Sequence, residues 1–357
     1  MKRIAWIDTI RVAAAFMIIF AHYFMCDDFA ESLPYFKHAL SYDVAIIGVA
    51  LFLAISGYLI PASLKRAPDL WHFYLSKFIR IVVPFTVSWF VMLAILILPA
   101  LFNDDLASRL PTNALLRGGN FSAMILGMFP VDLNVTKLLG FEIYWFVGEW
   151  FMGAILWLYL LSPLLNYCAE RRPLFSLIIS IGVSFAAYYV SQGIVYDAWT
   201  LFIVRVPEFL FGIILFIYRD KLKQFHLPLF LLSGIVLATY AIYFAITLPP
   251  QGALFFVSNP KYFLLTLPMI YLLFTLTEVF NALLPKIFAR FNSLNAASYI
   301  AMIIQHVVIY AFADILGFEK LGTFGIFLVL LIVMAITFET AQLIKKLSDP
   351  VEKIFSK

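Results

Sequence analysis

Residues 6–25 read WIDTIRVAAAFMIIFAHYFM. At 1.5 Å per residue such a stretch crosses about 30 Å of hydrocarbon, so it has the length of a transmembrane helix. It nevertheless carries Arg11 and His22. The apolar core of a cleavable signal would be shorter and would not hold an arginine, so the segment reads as a retained span. Eleven positions separate the two polar residues, and eleven steps of 100° make three turns plus roughly 20°. Arg11 and His22 therefore share one helix face, about 16.5 Å apart along the axis. An ionisable group at membrane depth costs roughly 3 kcal/mol or more, so each marks a functional site by default.

The rest of the chain extends this reading. Of 357 residues, 64% are hydrophobic and 13% charged, against about 25% charged in a soluble domain, and the mean hydropathy is +0.96. The sequence predicts an all-α polytopic membrane protein, a single membrane-embedded domain over 1–357. About ten spans fall near 6–25, 42–63, 81–102, 143–167, 173–192, 200–218, 227–247, 262–284, 296–316 and 321–343. Between the third and fourth, residues 121–131 are apolar but too short to cross, which predicts an interfacial or re-entrant piece. Seventeen of the 25 Lys and Arg residues fall on one side if both termini share it, and six on the other. By the positive-inside rule both termini are expected in the cytoplasm.

That basic excess lies in short loops, where it sets orientation, and does not suggest nucleic acid as a partner. The two cysteines, Cys26 and Cys168, fall on opposite sides of the predicted membrane and make neither a disulfide framework nor a metal pair. No GxSxG, HExxH or Walker loop is present, and Ser56-Gly57 lacks the flanking glycine of a nucleophile elbow. The five histidines, His22, His38, His72, His226 and His306, are scattered, so no metal site is expected.

Arg11, His22, Arg205 with its neighbour Glu208, and His306 stand out among the polar groups inside the spans. Arg11 would also serve as an orientation anchor paired with Asp8, and His22 as a packing histidine bonded across helices. Two such residues on one face favour a ligand that is long and thin, anionic at the cytoplasmic end and reactive near His22. Acyl-coenzyme A has that shape. Lys77 and Arg80, at i,i+3 where the third span begins, suit phosphate, though they also read as positive-inside anchors.

Six segments resemble, in order, the signatures of the membrane acyltransferase-3 family, whose members modify bacterial surface polysaccharides. They are IDTIRVAAAFMIIFAH (7–22), GVALFLAISGYLI (48–60), FYLSKFIRIVVPF (73–85), WFMGAILWLYLLSPLL (150–165), RVPEFLFG (205–212) and SYIAMIIQHVVI (298–309). Lys77 stands where the family more usually has Arg. Where many relatives carry a Glu five residues after the fourth-span Trp, this chain has Ile155, and its nearest acid, Glu149, precedes Trp150. The chain looks like the stand-alone form, without a fused periplasmic hydrolase-like domain.

The resemblance implies a multi-pass protein of the bacterial inner membrane that transfers acetyl or succinyl from cytoplasmic acyl-coenzyme A to a hydroxyl of a surface glycan, possibly lipid-linked. It implies no resident cofactor. In that reading Arg11, Lys77 and Arg80 hold the donor's phosphates, and His22 is the general base. Arg205, Glu208 and His306 contact the sugar, or stabilise the developing charge. The competing expectations are a glycan transporter, which would more naturally show two similar halves, and a subunit of an assembly complex with no chemistry of its own.

Overall fold

The computed structural model describes residues 5–25, 41–100, 126–140, 147–195, 197–247 and 261–355. The described residues are helical and contain no strand. The helices are α1 (Ala5–Met25), α2 (Ser41–Tyr58), α3 (Ile60–Arg66), α4 (Leu70–Ala100), α5 (Leu133–Leu138), α6 (Glu149–Arg171) and α7 (Pro173–Ser191). They continue with α8 (Val206–Ile217), α9 (His226–Thr247), α10 (Lys261–Leu283), α11 (Pro285–Ser293), α12 (Asn295–Leu316) and α13 (Thr323–Phe355). Among the described residues nine helices are long and apolar enough to cross a membrane, so the chain is a multi-pass membrane protein. His38, Cys26 and residues 121–125 lie outside the described residues.

One predicted span differs. Residues 200–218 do not form a continuous helix. Two 3₁₀ turns, Ala198–Thr200 and Phe202–Arg205, lead into the twelve-residue α8, with Leu201 extended between them. Pro207 in the first turn of α8 has no N–H to donate to a helix arriving from upstream, so the regular helix begins there. The broken segment still traverses the bundle. Asn134 Nδ2 donates to Thr200 Oγ1 (2.9 Å) beside the start of α6, and Tyr218 Oη donates to the Glu170 carbonyl (3.1 Å) at the other end of that helix. Together with the nine regular helices this makes ten candidate crossing elements among the described residues.

Burial sorts the helices. The spans of α1, α2 and α12 are 67%, 72% and 67% buried, whereas α7 and the Arg219–Tyr243 helix are 6% buried. The first three form the centre and the last two present their sides to lipid. α1 touches α2, α10, α11, α12 and α13. At its C-terminal end Tyr23 Oη donates to the Ile326 carbonyl of α13 (2.7 Å).

α2 and α8 approach each other backbone to backbone. A β-carbon added at Gly57 would overlap the Phe209 carbonyl, and one added at Gly212 would overlap the Ala54 carbonyl. Each glycine thus receives the backbone of the other helix, the packing small residues permit where hydrocarbon supplies no drive to associate.

Of the apolar piece at 121–131, expected to be interfacial or re-entrant, the described residues are 126–131. Residues 126–132 fold against the middle of α4, where Thr86 Oγ1 donates to the Met128 carbonyl (3.0 Å). Asp132 then caps α5 through the amides of Asn134 (2.9 Å) and Val135 (3.1 Å). Irregular backbone survives at membrane depth only when protein satisfies it in this way.

Replacing Gly57 or Gly212 by Leu is expected to force α2 and α8 apart and to cost about 3 kcal/mol. Gly182→Ala, at a glycine with open space around it, should leave stability unchanged or slightly raised. Thermal unfolding of the detergent-purified variants checks both.

Candidate functional site

The N-terminal end of α1 is tied down by polar contacts. Asn295 Nδ2 donates to Asp8 Oδ1 (2.7 Å), and Thr9 Oγ1 donates to Asn292 Oδ1 (2.8 Å) while accepting from Asn281 Nδ2 (3.0 Å). Asp8, which the sequence suggested as a partner for Arg11, accepts from Asn295 of α12 and also attracts the Arg11 guanidinium electrostatically. The start of α4 is set by Asp69, whose Oδ1 accepts from the His72 amide (2.8 Å). That bond, reinforced by the His72 side chain, holds the Asp69 carboxyl below its usual range.

These anchors place Arg11 of α1 and Lys77 and Arg80 of α4 on one cavity of about 460 Å³. The three residues come together as the sequence predicted. Two further cations, Arg66 and Lys345, line the same space. Lys77 Nζ stands 4.9 Å from the Tyr159 ring centroid and 5.6 Å from that of Phe73, within cation–π range. Lys345 is bridged to Asp349 (2.6 Å) and Glu352 (2.9 Å). The cavity thus combines a cationic mouth with neutral hydroxyls from Ser56, Tyr159 and Tyr299, and with apolar walls from Phe52, Phe151, Ile155 and Ile300. Ile155, the position where the family pattern would put a Glu, faces this space as a hydrocarbon side chain.

His22 and His306 lie deeper, beyond the lining of the cavity. Their rings meet edge to face with centroids 4.1 Å apart. His22 Nδ1 sits 2.9 Å from the Ile18 carbonyl, which can only accept, so the neutral ring carries its proton on Nδ1 and its lone pair on Nε2. Gln305 Nε2 lies 2.9 Å from His306 Nδ1 and can only donate, which puts the His306 proton on Nε2. The pair thus offers one basic nitrogen and one N–H donor side by side. On α12, six residues separate His306 from Ile300 in the cavity wall, about 9 Å along the helix.

Arg205 and Glu208 lie elsewhere. They form an ion pair (3.2 Å) at the start of α8, 3% and 0% exposed, outside the lining of the basic cavity. Sequence reasoning did not single out Tyr159, Tyr299, Asn295, Arg66 or Lys345 as site residues. Arg66 and Lys345 carried a signal, because both entered the count of cytoplasmic charges. The tyrosines carried none, since a span rich in aromatic residues gives no reason to prefer one ring over another.

The profile of the acyltransferase-3 family, described as an acyltransferase domain, matches residues 4–340. No curated protein and no solved structure matches the chain.

Glu208→Gln is expected to cost about 3–5 kcal/mol, because it leaves the Arg205 guanidinium buried without its counter-charge. The double variant Arg205→Met, Glu208→Leu should recover most of that loss. Thermal unfolding of the three proteins in detergent tests the scaffolding role.

Proposed function

The chain belongs to the acyltransferase-3 family and is therefore a membrane acyltransferase, and from that premise we propose that it moves an acetyl or succinyl group from cytoplasmic acyl-coenzyme A to a hydroxyl of a bacterial surface glycan. The observation that carries the reading is the convergence of Arg11, Lys77 and Arg80 on one cavity, with the His22–His306 pair farther along α1 and α12. With the termini cytoplasmic, as the charge bias favours, the cations face the compartment that holds coenzyme A. Arginine and lysine at such a mouth suit its phosphates, arginine by bidentate bonding and lysine as a point charge. The flexible arm of the donor then follows the apolar walls toward the histidines.

In the transfer, a sugar hydroxyl oxygen attacks the thioester carbonyl carbon while His22 Nε2 takes the hydroxyl proton. An imidazole suits this because its unperturbed pKa lies near neutrality. The charge that develops on the carbonyl oxygen is met by the N–H of His306. The carbon–sulfur bond breaks, the His22 proton passes to the leaving thiolate, and the products are the O-acyl glycan and coenzyme A. In this reading Arg205 and Glu208, paired with each other outside the basic cavity, act through the position of α8.

Calorimetry with acetyl- and succinyl-coenzyme A on the detergent-purified protein tests the donor. Alanine at Arg11, Lys77 or Arg80 should each weaken binding by roughly tenfold. His22→Ala should leave that affinity within about twofold and lower turnover by roughly 10²–10⁴. A folded protein that binds neither thioester would overturn acyl-coenzyme A as the donor.

A further inference from the structure

α6 separates two cavities. Phe151, Ile155 and Tyr159 recur every four residues and face the basic cavity. Gly153, Leu156, Trp157 and Leu160 belong to the opposite side and line a second space of about 570 Å³, between α6, α4 and residues 129–132. Apart from Asp132, Lys77 and the ring hydroxyls this lining is apolar. Trp71, Phe78, Phe129 and Leu160 are 70%, 52%, 50% and 51% exposed, so the groove opens on the lipid-facing flank of the protein. Lys77 and Tyr159 belong to both spaces.

One polar group lines this groove without an evident partner. Asp132 is 3% exposed. Its Oδ1 is used in capping α5, but its Oδ2 has no hydrogen-bond partner among the described residues. Gly153 allows the acid to lie against α6, because a β-carbon there would overlap the Asp132 backbone. A buried acceptor left bare costs about 1–3 kcal/mol, and a ligand that donates to it removes that cost.

A suitable ligand has an apolar tail for the groove and a hydroxyl for Asp132. We propose that the groove binds the lipid tail of a lipid-borne glycan acceptor, with Asp132 Oδ2 accepting a hydrogen bond from a sugar hydroxyl. The acceptor then reaches the basic cavity sideways from the bilayer, past Tyr159. This rests on the reading of the protein as a glycan acyltransferase. The acyl chain of the donor fits less well, since it brings no donor for Asp132 and its phosphates would meet a carboxylate.

The test is photo-crosslinking of the full chain in phosphatidylcholine vesicles. Two probes carry a diazirine in the tail: farnesyl phosphoryl glucose, with an anionic linkage, and a dioleoylglycerol glucoside, with a neutral one. At least one should label peptides containing Phe78, Phe129 or Trp157, and the unlabelled compound should compete. Asp132→Asn keeps an N-cap residue but replaces the free acceptor, and should weaken that competition about tenfold. Leu156→Trp fills the groove without altering Asp132 and should abolish labelling. If diazirine phosphatidylcholine labels the same peptides and neither glucoside competes, the groove holds ordinary bilayer lipid and the proposal is overturned. Equal competition in Asp132→Asn overturns the assigned hydrogen bond. Coenzyme A affinity on the same preparations separates the two readings. Thioester binding without glucoside labelling removes the groove assignment, whereas glucoside labelling without thioester binding removes the acyl-coenzyme A donor and leaves the groove.

Discussion

A guanidinium cannot be left in hydrocarbon, and much of the structure follows from where Arg11 is put. Placed one turn into a span, it requires either a counter-charge or an aqueous space. The protein supplies a space, and the Asp8 carboxylate on the same helix attracts the guanidinium. α1 is fixed at that level by Asp8 and Thr9 through three asparagines of α10, α11 and α12, and α4 brings Lys77 and Arg80 to the same cavity. Cations that repel one another and are expensive to bury are gathered by helices whose remaining faces are apolar. Such an arrangement is stable when an anion is the intended occupant, and membership of an acyltransferase family gives that occupant a chemical purpose.

The histidines solve a different problem. Each nitrogen on the Nδ1 side is committed to a neighbour, His22 to a backbone carbonyl and His306 to Gln305, so the two rings differ in what their Nε2 atoms can do. One can take a proton and the other can donate a hydrogen bond. The asymmetry comes from the backbone and the adjacent amide, and needs no charged residue at that depth.

Helix length, charge bias and the shared face of Arg11 and His22 were legible because hydrocarbon thickness and helical periodicity are local rules. The cationic triad was legible in part, since i,i+3 spacing joins Lys77 to Arg80 but nothing local joins either to α1. Tyr159 and Tyr299 were not, because their role depends on which helices adjoin. The 200–218 segment was read as one helix because hydropathy averages over the extended Leu201 and the proline start at Pro207. Arg205 and Glu208 were correctly noticed as charges in an apolar stretch. The structure gives them to each other, a satisfaction that the i,i+3 spacing already allowed.

α8 also bears on how the protein is made. Twelve residues of helix, about 18 Å, do not span a bilayer, and the turns before it carry an arginine. Such a segment, too short to cross alone, relies on its neighbours to complete the path. Its natural receptor is α2, synthesised earlier, whose Gly57 lies open for the Phe209 carbonyl. Insertion of the sixth crossing element is then a docking step on a partly assembled bundle, and the two glycines belong to the biogenesis of the protein as much as to its finished shape.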